Sequence, residues 1–229
     1  MCAVIAVRGE GRVPQTCRVI VVQPVLEIYA CEGFGLWPVA RSVPYGFLPL
    51  SGGLDAAEVG TAVMRIVDCN DMDPGDDGRP PRPADPLGGF LHGLLTMDDL
   101  FASGGLRITD TATGTTLLPG CCNGLDERRD WQEVVDGDGF ASFGHDPSPL
   151  AERHGDTVRL TVDAERDDSP VIELSVTDLR RLLADAERDL GDFLQVAAAW
   201  AARHLPEHAT AVTSALSRAL DVPTPTSTP

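Results

Sequence analysis

Cys121 and Cys122 stand side by side in the run Leu117-Leu118-Pro119-Gly120-Cys121-Cys122-Asn123-Gly124-Leu125, with His145-Asp146-Pro147 further along the chain. A thiol, an imidazole and a carboxylate are the parts of an activated cysteine nucleophile, in which the base takes the thiol proton and the carboxylate orients the base. Asp146 directly follows His145 and precedes Pro147, however, which turns its side chain elsewhere unless the loop bends sharply. The same residues invite a metal reading, but adjacent thiols do not readily share one tetrahedral ion, and no C-x-x-C or H-x-x-x-H supplies further ligands. No metal and no cofactor are therefore expected. Cys121, Cys122 and His145 are kept as an alternative thiol site, enzymatic or metal-binding.

The leading candidate begins immediately after the thiols. The segment Asp126 to Val135 reads as a helix, with Asn123 as its cap and Trp131, Val134 and Val135 on one apolar arc. The other arc carries Glu127, Arg128, Asp130 and Glu133, and the turn Asp136-Gly137-Asp138-Gly139 follows. Asp126, Glu127, Asp130, Glu133, Asp136 and Asp138, grouped around Trp131, make a candidate docking face for a basic protein partner. On such a face charge speeds and selects the encounter while buried aromatics hold it.

Composition supports this direction. The chain has eighteen arginines, no lysine and thirty-five acids, a formal charge of −17. Without lysine there is no Walker A phosphate clamp, no Schiff base and no Ser–Lys pair. The acids are concentrated after residue 68, where thirteen arginines face twenty-nine acids. Such a field repels nucleic acid and anionic membrane surfaces. No apolar run approaches the length of a membrane helix, and the N-terminus lacks a secretory leader, so a cytoplasmic location is expected. Six cysteines without repeating spacing read as reduced thiols, not as a disulfide framework.

Other chemistry-bearing residues lead to plainer readings. Asp71, Asp73, Gly75 and Asp77 lack the ligand order of a calcium loop. His92, His154, His204 and His208 share no useful spacing, and His204 reads as a cation at a helix C-terminus. Asp167 and Asp168 sit in a turn, away from any cleft. The Gly, Pro and aromatic stretch Glu32 to Gly53, with Trp37 and Tyr45, is an ordered loop that offers a second possible ligand site.

These residues must be positioned by an α+β fold: a mixed or antiparallel sheet covered by helices. Strands are expected at Ala3–Val7, Cys17–Val22 and Val25–Ala30, the last two separated at Pro24. A helix is expected over Asp55–Val67, then a mobile acidic loop over 69–85, helical turns at Pro86–Leu95 and Thr96–Ala102, and strands at Leu106–Thr109 and Thr115–Leu118. Thr157–Val162 and Val171–Val176 alternate as a β-hairpin. A long amphipathic helix capped by Thr177 or Asp178 then runs to about His204, followed by a shorter one opened by Pro206. Residues 1–220 read as a single domain and 221–229 as a disordered tail.

The order of P-G turn, Trp-bearing helix, D-G-x-G turn and G-H-D-P strand resembles small uncharacterised proteins of GC-rich actinobacteria. The Asp136-Gly137-Asp138-Gly139 turn behind Trp131 also resembles the SUKH superfamily of immunity proteins, which bind and neutralise toxins. The resemblance implies that the acidic arc faces a partner. The expectation is thus a non-catalytic, immunity-type inhibitor of a basic protein. The alternatives are a cysteine-dependent enzyme or metal-binding protein, and an oligomeric scaffold using the C-terminal helices.

Overall fold

Apolar periodicity builds the two cores of this protein on one long helix. The computed structural model describes residues 18–29, 33–41, 45–75 and 78–224, so the expected strand Ala3–Val7 and residues 225–229 of the expected tail lie outside the described residues. The fold is α+β, with two four-stranded antiparallel sheets. One runs β2 (Gly46–Pro49), β1 (Ile20–Ile28), β3 (Gly104–Asp110), β4 (Thr116–Leu117), and the other β5 (Phe140–Ser142), β6 (Leu150–His154), β7 (Thr157–Thr161), β8 (Val171–Ser175).

Helix α4 (Val176–His204) buries Leu179, Leu182, Leu183 and Ala186 along its first half and Leu190, Phe193, Leu194, Ala197 and Trp200 along its second. The first set packs with the β5–β8 sheet, Trp131 and one end of the other sheet. The second packs with α1 (Ala56–Cys69), α2 (Pro86–Thr96) and α5 (Ala209–Ala219). Strand β1 also spans both cores, Val22 lying in the first and Leu26 and Ile28 in the second. Spacing of threes and fours holds one face of α4 inward throughout. No helix among the described residues is long and apolar enough to cross a membrane.

Several elements depart from their expected form. Strand β1 passes straight through Pro24, where two strands were expected. Pro24 accepts through its carbonyl from Leu50 N (2.9 Å) on the β2 side, so its missing N–H falls on that side too and the ladder to β3 is intact. The stretch read as a loop to Gly53 contains β2, paired with β1 from Val25↔Pro49 to Ile28↔Gly46. Residues 97–102 form no second helical turn; Phe101 is held by Asn70, whose Oδ1 accepts from Phe101 N (2.9 Å) and whose Nδ2 donates to Phe101 O (2.8 Å). Ser175, not Thr177 or Asp178, caps α4, its hydroxyl accepting from Asp178 N at 3.0 Å. The hairpin β7–β8 forms as its alternation predicts, with Val158↔Leu174 and Leu160↔Ile172 facing the core.

Between α1 and α2 the described residues of the acidic segment take no regular structure, but arginines tie it back. Arg82 pairs with Asp71 and Asp73, Arg79 donates to Asp73 O (3.0 Å), and the His92 ring contacts Pro80 O (2.7 Å). Helix α1 itself is started by a full capping box between Asp55 and Glu58.

Candidate functional site

The thiol loop is assembled by backbone meeting backbone. After β4, Gly120 N donates to Phe143 O (2.8 Å), Cys121 N to His145 O (2.5 Å), and His145 N back to Cys121 O (3.2 Å). A Cβ on Gly120 would lie 2.3 Å from Pro147 O and 2.5 Å from His145 N, so only glycine lets the two segments approach this closely. At Cys122 the chain enters the left-handed region, φ +66°. That conformation is strained for a residue with a side chain and recurs at functional turns. Asn123 then anchors the loop to β3: its Nδ2 donates to Gly104 O (2.7 Å), and Gly104 N donates to Asn123 O (3.0 Å). It does not cap the following helix, as expected from sequence, because its side chain is buried in this cross-link.

The turn brings the two adjacent thiols together. Side chains of consecutive residues in extended chain point to opposite sides, but the positive φ swings Cys122 round, and the sulphurs lie 3.3 Å apart. His145 completes the group: the donor atoms of Cys121, Cys122 and His145 all lie within 4.8 Å of one another, and all three side chains are exposed. Asp146 also has a positive φ, +51°, which bends the loop enough to place its Oδ2 3.2 Å from His145 Nδ1. The expectation that Asp146 points away is overturned by that bend.

Charge is shared unequally in the cluster. The Cys122 thiol is held below its usual range by the Cys121 thiol and then by His145, whereas Cys121, donating to its neighbour, is pushed up. His145 is raised by Asp146 first and by Cys122 second. The asymmetry follows from the partners: Cys122 has both the Cys121 thiol and the imidazole beside it, whereas Cys121 has the Cys122 thiol and nearby carboxylates. Cys69, by contrast, is raised, first by burial.

Residues far away in sequence lie near the thiols, and beyond them is a groove that Cys121, Cys122 and His145 do not themselves line. Glu27 on β1 accepts from Ser103 Oγ (2.7 Å) and is near enough to both thiols to disfavour their ionisation. Tyr29 is raised by burial and by Glu27, and it feels the charge of Cys121 as well. The Arg65 guanidinium lies over the Tyr29 ring at 4.4 Å. Tyr45, largely exposed, meets Tyr29 edge-on at 5.7 Å and lines an open groove of about 570 Å³ with Gln23, Arg107, Thr116 and Leu118. Arg107 donates to Gln23 Oε1 (2.7 Å) and has no carboxylate partner among the described residues. Glu27, Tyr29, Arg65 and Arg107 went unrecognised in the sequence analysis. A readable signal was the spacing Gly120-x-Cys122-x-Gly124, glycines on either side of a nucleophile at a sharp turn out of a strand.

No family model, curated protein or solved structure matches the chain. The site must therefore be interpreted from its own geometry.

The acidic candidates fall into two sets. Asp126, Glu127 and Asp130 lie together on the 3-10 turn Asp126–Asp130, and Glu127 is raised by partial burial and then by its two carboxylate neighbours. Glu133, Asp136 and Asp138 follow along α3 (Trp131–Asp136) and its exit, where Arg180 pairs with Asp136. The other five have no arginine partner among the described residues. Trp131 is 1% exposed, stacked on Phe143 at 4.1 Å, so it supports this face from beneath and presents nothing to a partner. Trp37 is likewise core, donating to Gly60 O at 2.8 Å, but Ala40, Arg41, Gly46, Phe47 and Leu48 of the same stretch line a cavity of about 250 Å³ with Ile28, Glu58 and Thr61.

Proposed function

We propose that the protein carries out thiol-dependent group transfer, with Cys122 as nucleophile. The observation that carries this reading is the strained turn that sets Cys122 against His145, itself held by Asp146. The thiolate attacks an electrophilic carbon of a substrate whose remainder extends toward the Tyr45–Arg107 groove, forming a sulphur–carbon bond while His145 passes its proton to the departing group; a second nucleophile, its proton taken by the now neutral His145, then breaks that bond and carries the group away. Asp146 orients the imidazole and favours its charged form. Arg107 gives the groove a preference for a substrate bearing an anionic group. Cys121 contributes a hydrogen bond to the thiolate.

Alkylation at about pH 6 tests this, because each unit of pKa depression raises the thiolate fraction about tenfold there. Peptide mapping is expected to find Cys122 modified ahead of Cys121 and Cys69, and H145A to slow that modification at pH 6 while leaving the rate above pH 9 unchanged. Equal, slow labelling of all thiols in the wild-type chain would remove the proposal.

A second reading, an immunity-type inhibitor docking a basic protein, is supported by the crowding of Asp126, Glu127 and Asp130, none of which is paired by the two arginines of the same turn: Arg128 pairs with Glu187 and Arg129 with Asp221. It requires capture of a basic partner that is released steeply as salt rises and lost in a D126N/E127Q/D130N variant. Capture insensitive to both would end it.

A further inference from the structure

We propose that Cys121, Cys122 and His145 form a binding site for one thiophilic divalent cation of the zinc and cadmium class. A tetrahedral ion bound at about 2.3 Å from sulphur and about 2.0 Å from nitrogen separates its donors by about 3.5–3.8 Å. Here the sulphurs are 3.3 Å apart and all three donors lie within 4.8 Å, so side-chain rotations that move the donors by up to about 1 Å, at exposed side chains free to turn, close the geometry. The usual objection to adjacent cysteines, that their side chains diverge, is cancelled by the positive φ of Cys122.

The scaffold behind the donors is preorganised. Cys121 and His145 are joined by backbone hydrogen bonds in both directions, and at positions 120 and 144 any side chain would collide with the facing backbone, so glycine is what permits this close approach. Asp146 sits on His145 Nδ1 at 3.2 Å, which leaves Nε2 as the ligating atom and supplies the carboxylate partner that metal-bound imidazoles characteristically have. Two thiolates neutralise the ion, and Glu27 together with the overall charge of −17 draws cations toward it. The fourth position faces solvent, since all three ligands are exposed.

Binding deprotonates Cys121, Cys122 and His145, so affinity falls as pH is lowered and protons are released on loading. The inference is independent of the nucleophile reading: it needs both sulphurs as donors, not one sulphur as an attacking group. If both hold, an ion on Cys122 silences its alkylation.

The full-length, reduced and chelator-stripped chain is titrated with cadmium ion, following the ultraviolet sulphur-to-cadmium charge-transfer band and ion stoichiometry by native mass spectrometry. Zinc is measured by competition against a chromophoric chelator. The expected result is a thiolate band, with one bound ion lost and affinity reduced about a hundredfold or more in either C121S or C122S, and about tenfold or more in H145A. C69S retains full binding, and circular dichroism confirms that each variant is folded. Absence of a charge-transfer band, or a wild-type stoichiometry and affinity in folded C121S and C122S, overturns the site. Alkylation of the metal-free chain reports separately on the nucleophile, so failure of one proposal is not mistaken for failure of the other.

Discussion

Replacing Arg128 by alanine is expected to cost far more than replacing the glutamate it pairs with. Arg128 is buried, and all five guanidinium N–H groups have acceptors. Nε and Nη2 donate to Glu187 Oε1 and Oε2 at 2.8 and 3.1 Å, Nη1 to Leu125 O and Leu220 O at 2.9 and 2.7 Å, and Nη2 to Asp221 O at 3.0 Å. Leu125 and Leu220 are fully buried, so truncation leaves two inaccessible carbonyls short of a charged donor, each at about 1–2 kcal/mol. Loss of the packed stem adds about 1 kcal/mol. The sum is about 3–5 kcal/mol, a large part of a typical folding free energy of about 5–15 kcal/mol. E187A leaves two N–H groups of the buried guanidinium without their acceptor, but Glu187 is 50% exposed at its side chain, so water entering the vacated space replaces part of the loss and the cost is about 1–2 kcal/mol. R128M, which keeps the stem, falls between them. Urea unfolding followed by tryptophan fluorescence measures all three, with the slope checked for constancy. In thermal melts the loss in R128A corresponds to about 6–20 °C. Equal and small losses in R128A and E187A would mean that the ion pair matters and the carbonyls do not, refuting the reasoning.

Two further outcomes follow from the same core. W131A empties a fully buried site stacked on Phe143 and is expected to lose about 3–5 kcal/mol by urea unfolding, with W131F losing less. At Asp110 burial pushes the carboxyl up, but the N–H groups of Ala112 and Thr113 and the Arg18 guanidinium together bring it below its usual value. Its contribution is complete above the unfolded value of about 3.9 and lost as pH falls through the lower folded one, so D110N should flatten the acid limb of stability against pH.

Local pattern made much of the fold legible. Helix α4 and the β7–β8 hairpin were readable because a long run of apolar residues kept period 3.6 in one and period 2 in the other. Strands β2, β5 and β6 were not, since they are short and Gly46–Pro49 and Phe140–Ser142 carry no clear alternation. Pro24 misled for a different reason: whether proline breaks a strand depends on which side its absent N–H would face, and that is set by the partner strands. Asn123 had the residue type and spacing of a cap, yet a buried bond to Gly104 O took its amide.

For the site, residue types were visible and directions were not. Cys121, Cys122 and His145 could be named from sequence, but their convergence depends on two backbone angles, at Cys122 and Asp146, that residue identity does not announce. Glu27, Tyr29 and Arg65 join them only through the β1–β3 ladder and the packing of α1. Stretches that are legible because they repeat build the frame, and the exceptions to repetition carry the chemistry.

The thiol loop and the acidic turn behave as one platform, and this bears on which reading of function the molecule can sustain. Leu125, where the loop ends, gives its carbonyl to Arg128, which in turn grips α4 and the end of α5. Trp131, one turn later, locks the same segment against Phe143, two residues before His145. A nucleophile, a metal ligand set and a docking face all need a surface that does not yield when a ligand arrives. Cys121 and Cys122 are anchored from both sides in this way while remaining exposed to solvent. Tyr45, Asp146 and Asp221 share a left-handed φ with Cys122, so strain alone does not mark a site; what distinguishes Cys122 is that its strained turn holds an exposed thiol against Cys121 and His145.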